Sequence, residues 1–145
     1  MTVLTLSDVV DGLRAAWAAD TCSPDDIARS AWSSVNPAWG HCDITALVVN
    51  DLFGGDLVMG EVYLDGQQNG YHWWNRLVSG LEIDLTQEQF RLGQSVTAAQ
   101  VRRRPPGPLP KRREEYLLLR SRLEVRLGPL PPEADGSPRP ESPAE

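Results

Sequence analysis

The doublet Gly54-Gly55 separates two segments whose apolar residues follow different periodicities. Before the doublet, starting at Cys42, apolar residues recur at helical spacing, namely Ile44, Leu47, Val48 and Leu52. After it, β-forming residues are interrupted by the turn signals Asp65-Gly66 and Asn69-Gly70. Adjacent glycines suit the left-handed end of a helix. The sequence therefore predicts a helix that begins at Cys42 and ends at the glycines, followed by antiparallel strands.

Three strands are predicted after this helix, over 57–64, 71–77 and 81–85. Val78-Ser79-Gly80 has the length of a hairpin connection between the last two. Thr86-Gln87-Glu88-Gln89 matches a capping box, so we expect a short helix that carries Phe90 back onto the core.

Three further helices are predicted, over 7–19, from 23 to about 34, and over roughly 111–126. The last has an apolar stripe formed by Tyr116, Leu119, Leu123 and Leu127. Residues 128–145 are rich in proline and contain no aromatic residue, which is typical of disorder. We therefore expect one α+β domain over 1–127, with helices packed on a small antiparallel sheet, and a disordered tail over 128–145.

The composition argues against a membrane or secreted protein. The sequence contains no apolar run of about 18 residues, and its first residues lack a basic segment followed by a long apolar one. With 2 cysteines in 145 residues, Cys22 and Cys42 are best interpreted as thiols in a reducing cytoplasm.

The charges are distributed unevenly along the chain, whose net charge is −6. Residues 1–101 carry 4 Arg against 13 Asp and Glu, whereas residues 102–130 carry 9 Arg and Lys against 3 Glu. A nucleic-acid binder usually has a basic excess over a whole domain or face, which argues against that class. The simplest interpretation is that the basic segment lies on the acidic body, although an interaction module built on 102–127 stays open.

Cys42 is the candidate nucleophile because it precedes a helix. Unpaired backbone N–H groups and the helix dipole are expected there to lower the pKa of a thiol and to offer an oxyanion hole. Such a thiol needs a base, and the chain has 2 histidines. His41 adjoins Cys42 and points in a different direction, so His72 is the better candidate.

The predicted hairpin supplies a third residue to join Cys42 and His72, namely an acid that can orient the base. If its turn centres on Ser79, Trp74 faces Asp84, and His72 and Asp84 become diagonal neighbours on one face of the sheet. Asp84 can then orient His72, and Trp74 can form a wall of the site. Asn75 falls on the opposite face, suited to pack on the Cys42 helix, although its amide is also a candidate for binding a substrate carbonyl.

Segments 41–55, 72–77 and 82–90 resemble the YunG-like group of small bacterial proteins. That group is similar to the papain-like and transglutaminase-like (NlpC/P60-type) cysteine enzymes, which place Cys on a helix and then His and Asp on successive strands. The resemblance implies Cys42 as nucleophile, His72 as base and Asp84 as the orienting acid. It also implies an oxyanion-stabilising amide six residues before the nucleophile, where Asn36 stands, although the simpler interpretation is that Asn36-Pro37 only ends the preceding helix. His41 occupies a position at which we expect Gln in many relatives, a substrate contact or oxyanion donor.

The function expected from these residues is acyl transfer through an acyl-thioester, by an amide or ester hydrolase or an acyltransferase, without a cofactor. The acidic body and the indoles favour a small or peptide-like substrate. One alternative is a catalytically inactive papain-like fold that serves as a binding module. Another is a zinc site built from His41, Cys42, His72 and Asp84, which adjacent ligands at 41 and 42 would strain.

Overall fold

The computed structural model describes residues 4–90, 93–104 and 111–134. The helices are α1 (Leu6–Ala16), α2 (Pro24–Arg29), α3 (Cys42–Phe53) and α4 (Arg113–Leu127), with a 3-10 helix at Gln87–Gln89. The strands are β1 (Asp56–Leu64), β2 (Gln67–Arg76), β3 (Glu82–Ile83) and β4 (Ser95–Arg102), which form one antiparallel sheet in the order β3-β2-β1-β4. The predicted α+β class is confirmed. Within these ranges no helix combines the length and apolarity needed to cross a membrane.

Helix α3 ends at the glycine doublet, as predicted. Gly55 has a φ of +80°, and a Cβ added there would lie 2.3 Å from the carbonyl oxygen of Arg76 at the end of β2. A glycine is therefore required both for the backbone conformation and for the close approach of the two chains. This contact fixes the end of α3 against the end of β2.

The hairpin between β2 and β3 has the predicted register. Asn75 pairs with Ile83 and Arg76 pairs with Glu82, while the Leu77 N–H donates to the Leu81 carbonyl at 2.8 Å. Strand β3 is only two residues long, so Asp84 follows directly after it.

Turn chemistry explains part of the β1–β2 pairing. Asp65-Gly66 forms the predicted tight turn, because Leu64 pairs with Gln67. Asn69-Gly70 lies inside β2 instead of in a turn, and the register shifts opposite it, between Glu61 and Tyr63. Both dipeptides carry the same turn signal, but only one of them reverses the chain.

Three elements differ from the sequence-based expectations. Strand β4 was not predicted, and it pairs with β1 at the edge of the sheet opposite β3. Helix α2 ends at Arg29 and not near 34, and the indole of Trp39 donates to the Ser30 carbonyl at 2.9 Å. The predicted capping box at Thr86 is absent, because the Thr86 side chain makes no cap hydrogen bond to the 3-10 helix.

The core lies among α1, α3 and α4. Its buried members are Val9, Leu13, Ala16, Trp17, Ala38, Ile44, Val48, Val49, Tyr116, Leu119 and Leu123. The last three belong to the apolar stripe predicted for α4, and Leu127 is partly buried against them. Helix α3 therefore has one side in this core, which leaves its first residue at the edge of the core, near the sheet.

Much of the basic segment is paired with acidic residues of the body, as the simplest interpretation of the charges implied. Buried Arg104 contacts Asp51 at 2.5 Å, and Arg120 contacts the same carboxylate at 2.6 Å. Arg112 pairs with Asp43 at 3.1 Å. Basic and acidic parts of the chain thus hold α4 and the end of β4 against α3.

The predicted tail 128–145 divides into two parts. Residues 135–145 lie outside the described residues. Residues 128–134 form no helix or strand but contact the body: Arg113 pairs with Glu133 at 3.0 Å, and the Ala134 N–H donates to Asp51 at 2.8 Å. The domain boundary stays a prediction.

Candidate active site

Cys42 is the first residue of α3, and the turn in front of it is held by the surrounding chain. Gly40 has a φ of +75°, and a Cβ added there would lie 2.3 Å from the sulfur of Cys22. The Gly40 carbonyl accepts hydrogen bonds from the Ser23 N–H at 3.0 Å and from Arg112 at 2.9 Å. These contacts fix where α3 begins.

His72 and Asp84 meet on one face of the sheet, as the predicted register required. Nε2 of His72 lies 2.6 Å from Oδ2 of Asp84, and the His72 side chain is 1% exposed. The other carboxylate oxygen, Oδ1, accepts from the Thr86 N–H at 3.2 Å. Asp84 is therefore held from one side by the backbone and holds the imidazole from the other.

Gln89 is a site residue that the sequence analysis missed. Its Nε2 lies 3.2 Å from Nδ1 of His72 and 3.3 Å from Oγ1 of Thr86, and the residue is 5% exposed. The spacing of Thr86 and Gln89 fits a capping box, which predicts a helix-capping role for them instead. Thr86 and Gln89 lie two and five residues after Asp84, within the segment that resembles the YunG-like group, and this proximity is the sequence signal that points to the site.

Cys42 lies beside β2 but is not hydrogen-bonded to His72; both residues are in the described ranges. Burial raises the pKa of the Cys42 thiol, and the Asp43 charge raises it further. The backbone N–H of Trp73, the residue after His72, acts in the opposite direction and lowers that pKa. The expectation that the helix start lowers the Cys42 pKa is therefore wrong for this arrangement, because desolvation outweighs the helix terminus.

Two neighbouring cavities adjoin these residues. One, of about 430 Å³, is lined by His72, Trp74, Asp84, Gln87, Phe90, Gln94, Val96 and Ala99. The other, of about 20 Å³, is lined by Asp26, Arg29, Trp39, Cys42, Val62, Asn69, Tyr71, Gln89, Phe90 and Gln94. Phe90 and Gln94 line both. The thiol and the imidazole thus face adjacent cavities of very different size.

Trp74 lines the larger cavity, where the sequence analysis expected it. Its ring stacks on His72 with centroids 5.6 Å apart at 25°, and its Nε1–H donates to Glu82 at 2.7 Å. Phe90 meets the His72 ring edge-on at 4.6 Å. Two aromatic rings therefore enclose the imidazole, and Phe90 packs on the site and not on the helical core.

Asn36 reaches the site indirectly. Its Nδ2 donates to the backbone carbonyl of Gln89 at 3.1 Å, and its buried Oδ1 has no hydrogen-bond partner among the described residues. The amide predicted to stabilise an oxyanion is thus bonded to the segment that carries Gln89.

His41 and Asn75, two predicted substrate contacts, have their side chains bonded elsewhere. His41 is fully buried, with Nδ1 2.8 Å from the Trp39 carbonyl and Nε2 2.7 Å from Oγ1 of Thr21. Burial lowers the pKa of His41 to about 4. Asn75 donates to the Ala46 carbonyl of α3 at 2.9 Å. Both side chains stabilise the scaffold in this structure, because their polar atoms are used within the protein.

The remaining candidates form no second site. Cys22 is buried with its sulfur 3.2 Å from the Trp39 carbonyl, and burial raises its pKa to about 11. Both cysteines are free thiols. Across the described ranges, no three His, Cys, Asp or Glu side chains are grouped closely enough to share a metal ion.

Comparisons with known proteins place this chain in a family. A family model described as YunG protein matches residues 5–128. A Bacillus subtilis (strain 168) protein, described as uncharacterized protein YunG, is 36% identical over 64 residues, which are 44% of this chain and 50% of the relative. The match thus spans about half the length of that curated relative. No solved structure gives a significant match.

Proposed function

The chain belongs to the YunG family, and from that premise we propose that it is a cysteine-dependent acyl-transfer enzyme with a papain-like arrangement of its site. Cys42 is the nucleophile, His72 the base and Asp84 the acid that orients the base. The observation that carries the proposal is the 2.6 Å contact between His72 and Asp84, in a hairpin beside the first residue of α3. A carboxylate on one imidazole nitrogen leaves the other to exchange a proton with a thiol.

The reaction runs in two halves. In the first, the Sγ–H bond of Cys42 breaks, His72 takes the proton on Nδ1, and the sulfur attacks the carbonyl carbon of an amide or ester. The bond to the leaving group then breaks, and His72 returns the proton to the departing nitrogen or oxygen. An acyl-thioester on Cys42 remains. In the second half, water or an amine gives a proton to His72 and attacks the thioester carbon. The C–S bond breaks, the acid or the new amide is released, and His72 returns the proton to the Cys42 sulfur.

The 430 Å³ cavity beside His72 supports a small or peptide-like substrate. Trp74 and Phe90 supply aromatic surface, and the amides of Gln87 and Gln94 lie in the same wall. Asp84 is the one acidic residue of the cavity lining within the described residues, and it is already bonded to His72. These groups suit an uncharged carbonyl compound better than an anionic one.

A second candidate function is a binding module without catalysis. Both nitrogens of His72 are bonded to other side chains, and burial raises the pKa of the Cys42 thiol. A site that has lost its catalytic activity would show the same two features. The two candidates make opposite predictions for covalent labelling.

The experiment that separates them is acylation by a p-nitrophenyl ester, followed by intact-protein and peptide mass spectrometry. The enzyme proposal predicts one acyl adduct on Cys42, which is absent in Cys42→Ala and retained in Cys22→Ala, the matched control. An adduct on Cys22, or none on either thiol after prolonged exposure, would contradict the proposal and favour the binding module.

A further inference from the structure

The carboxamide of Gln89 lies between the imidazole and the small cavity of the thiol. Its Nε2 bonds to His72 Nδ1 at 3.2 Å, and the residue also lines the 20 Å³ cavity that contains Cys42. The backbone carbonyl of Gln89 accepts from Asn36, which fixes the segment from the other side. Gln89 thus borders both groups that have to exchange a proton.

The contacts of this carboxamide define which nitrogen of His72 carries the proton. The two hydrogens on Nε2 serve two acceptors, Oγ1 of Thr86 at 3.3 Å and Nδ1 of His72. Nδ1 is then unprotonated, so the ring proton sits on Nε2 and is donated to Asp84 at 2.6 Å. This is the tautomer that a base acting through Nδ1 needs.

The same hydrogen bond blocks the base. The Nδ1 lone pair that would take the thiol proton is occupied by Gln89, and no hydrogen bond joins Cys42 to His72, both in the described part of the chain. The half-buried Cys42 thiol therefore lacks a base, and the cavity that it lines has a volume of only about 20 Å³. We call this arrangement closed, because Nδ1 of His72 is not accessible to the Cys42 thiol.

We propose that Gln89 is a positioning residue: it holds His72 in the Nε2–H tautomer and keeps Nδ1 closed to Cys42 until its carboxamide is displaced. This inference rests on the proposed function of the same site. When the carboxamide leaves, the Asp84 bond retains the ring proton on Nε2, and the free Nδ1 accepts the Cys42 proton. Gln89 lines the thiol cavity, so displacing its carboxamide also enlarges the space beside Cys42.

The test measures the reactivity of Cys42 towards iodoacetamide at pH 7 in Gln89→Met, which keeps side-chain length but removes the donor. The alkylation rate of Cys42 is expected to rise about tenfold, on the scale of an activated thiol. Gln67→Met, an exposed residue at the start of β2 that lines neither cavity, is the matched control and should react like the wild type. The gain should disappear in Gln89→Met/His72→Gln, because it depends on the imidazole.

An unchanged rate in Gln89→Met, or a gain that persists without His72, would overturn the inference. The ¹⁵N spectrum of wild-type His72 gives a second readout that needs no variant to fold. It should show a protonated Nε2 and an unprotonated Nδ1, and a protonated Nδ1 would also overturn the inference.

The failure of this inference is distinguishable from the failure of the proposed function. If the wild type is acylated on Cys42 but Gln89→Met alkylates no faster, the closed arrangement is wrong and the enzyme proposal stands. If Gln89→Met alkylates faster but no variant is acylated by the ester, the closed arrangement stands and the acyl-transfer proposal is wrong.

Discussion

His41 shows how a polar residue next to the candidate nucleophile can serve the scaffold. Its ring is fully buried and bonded on both sides, to the Trp39 carbonyl and to Thr21. Burial lowers its pKa from 6.5 to about 4, so the neutral ring is the form that the folded protein accommodates. Protonating this side chain therefore opposes folding.

The first prediction concerns how the free energy of unfolding depends on pH through His41. As the pH falls from about 6.5 to about 4, the unfolded chain binds a proton at His41 that the folded protein does not, so stability decreases over this window and levels off below it. The loss is about 3 kcal/mol, on the scale of 1.36 kcal/mol per pKa unit. Urea unfolding at several pH values measures it.

His41→Gln is the control, because carboxylates also contribute to the pH dependence. The difference in unfolding free energy between wild type and His41→Gln should change by about 3 kcal/mol across the window. A difference that stays constant with pH would show that His41 is protonated equally in both states.

The residues of the site differ in how far the sequence could predict them. The His72–Asp84 contact followed from strand alternation and one turn position, because side chains in a sheet have a period of two. The contacts of His41 and Gln89 depend on where loops pack against distant segments, which no local periodicity encodes. The pKa of Cys42 was predicted in the wrong direction for the same reason, since burial is a tertiary property.

At the scale of elements, one buried carboxylate joins α3, α4, β4 and the segment after α4. Asp51 of α3 contacts Arg104, Arg120 and the hydroxyl of Tyr116, and also accepts from the Ala134 N–H. Removing one charged partner from such a buried cluster leaves the opposite charge buried without compensation. Residues 131–134 therefore pack against the rest of the domain through this network.

Strand β4 illustrates why this arrangement escaped the sequence analysis. Val96, Thr97 and Val101 are the β-branched residues among its eight, and most of the strand is exposed. Backbone pairing with β1 holds this segment in the sheet, although its own composition does not predict a strand. The helices and the first two strands were predictable because their apolar patterns match their burial, whereas an exposed edge strand carries no such pattern.

The second prediction tests residues 129–134 by truncation. Ending the chain at Gly128 removes the Glu133 contact with Arg113, the Pro131 carbonyl that accepts from Arg120, and the Ala134 bond to Asp51. The melting temperature should fall by roughly 4–8 °C, equivalent to about 1–2 kcal/mol. Differential scanning calorimetry provides the measurement.

Ending the chain at Ala134 is the matched control, because it removes only 135–145, a Pro-rich segment without aromatic residues. Its melting temperature should stay within about 1 °C of the full chain. Equal melting temperatures for the Gly128 and Ala134 truncations would show that the contacts of 129–134 contribute nothing to stability.

At the scale of the whole molecule, the two halves of the fold have separate tasks. The core among α1, α3 and α4 sets the direction of the Cys42 helix, and the sheet carries His72 and presents Asp84 at its edge. The Gly55–Arg76 contact and the Asn75–Ala46 bond lock the two halves together. The candidate site thus forms where the start of α3 meets the β2–β3 hairpin.

The most direct test of the central claim compares acylation rates of Cys42 in the wild type and in Asp84→Asn. The amide keeps the shape of the carboxylate but stabilises the charged imidazolium poorly, so acylation by the ester should slow by about 10²-fold or more. Glu82→Gln, a carboxylate of β3 that accepts from Trp74, is the matched control and should acylate at the wild-type rate. Equal rates in Asp84→Asn and the wild type would contradict the Cys42–His72–Asp84 triad.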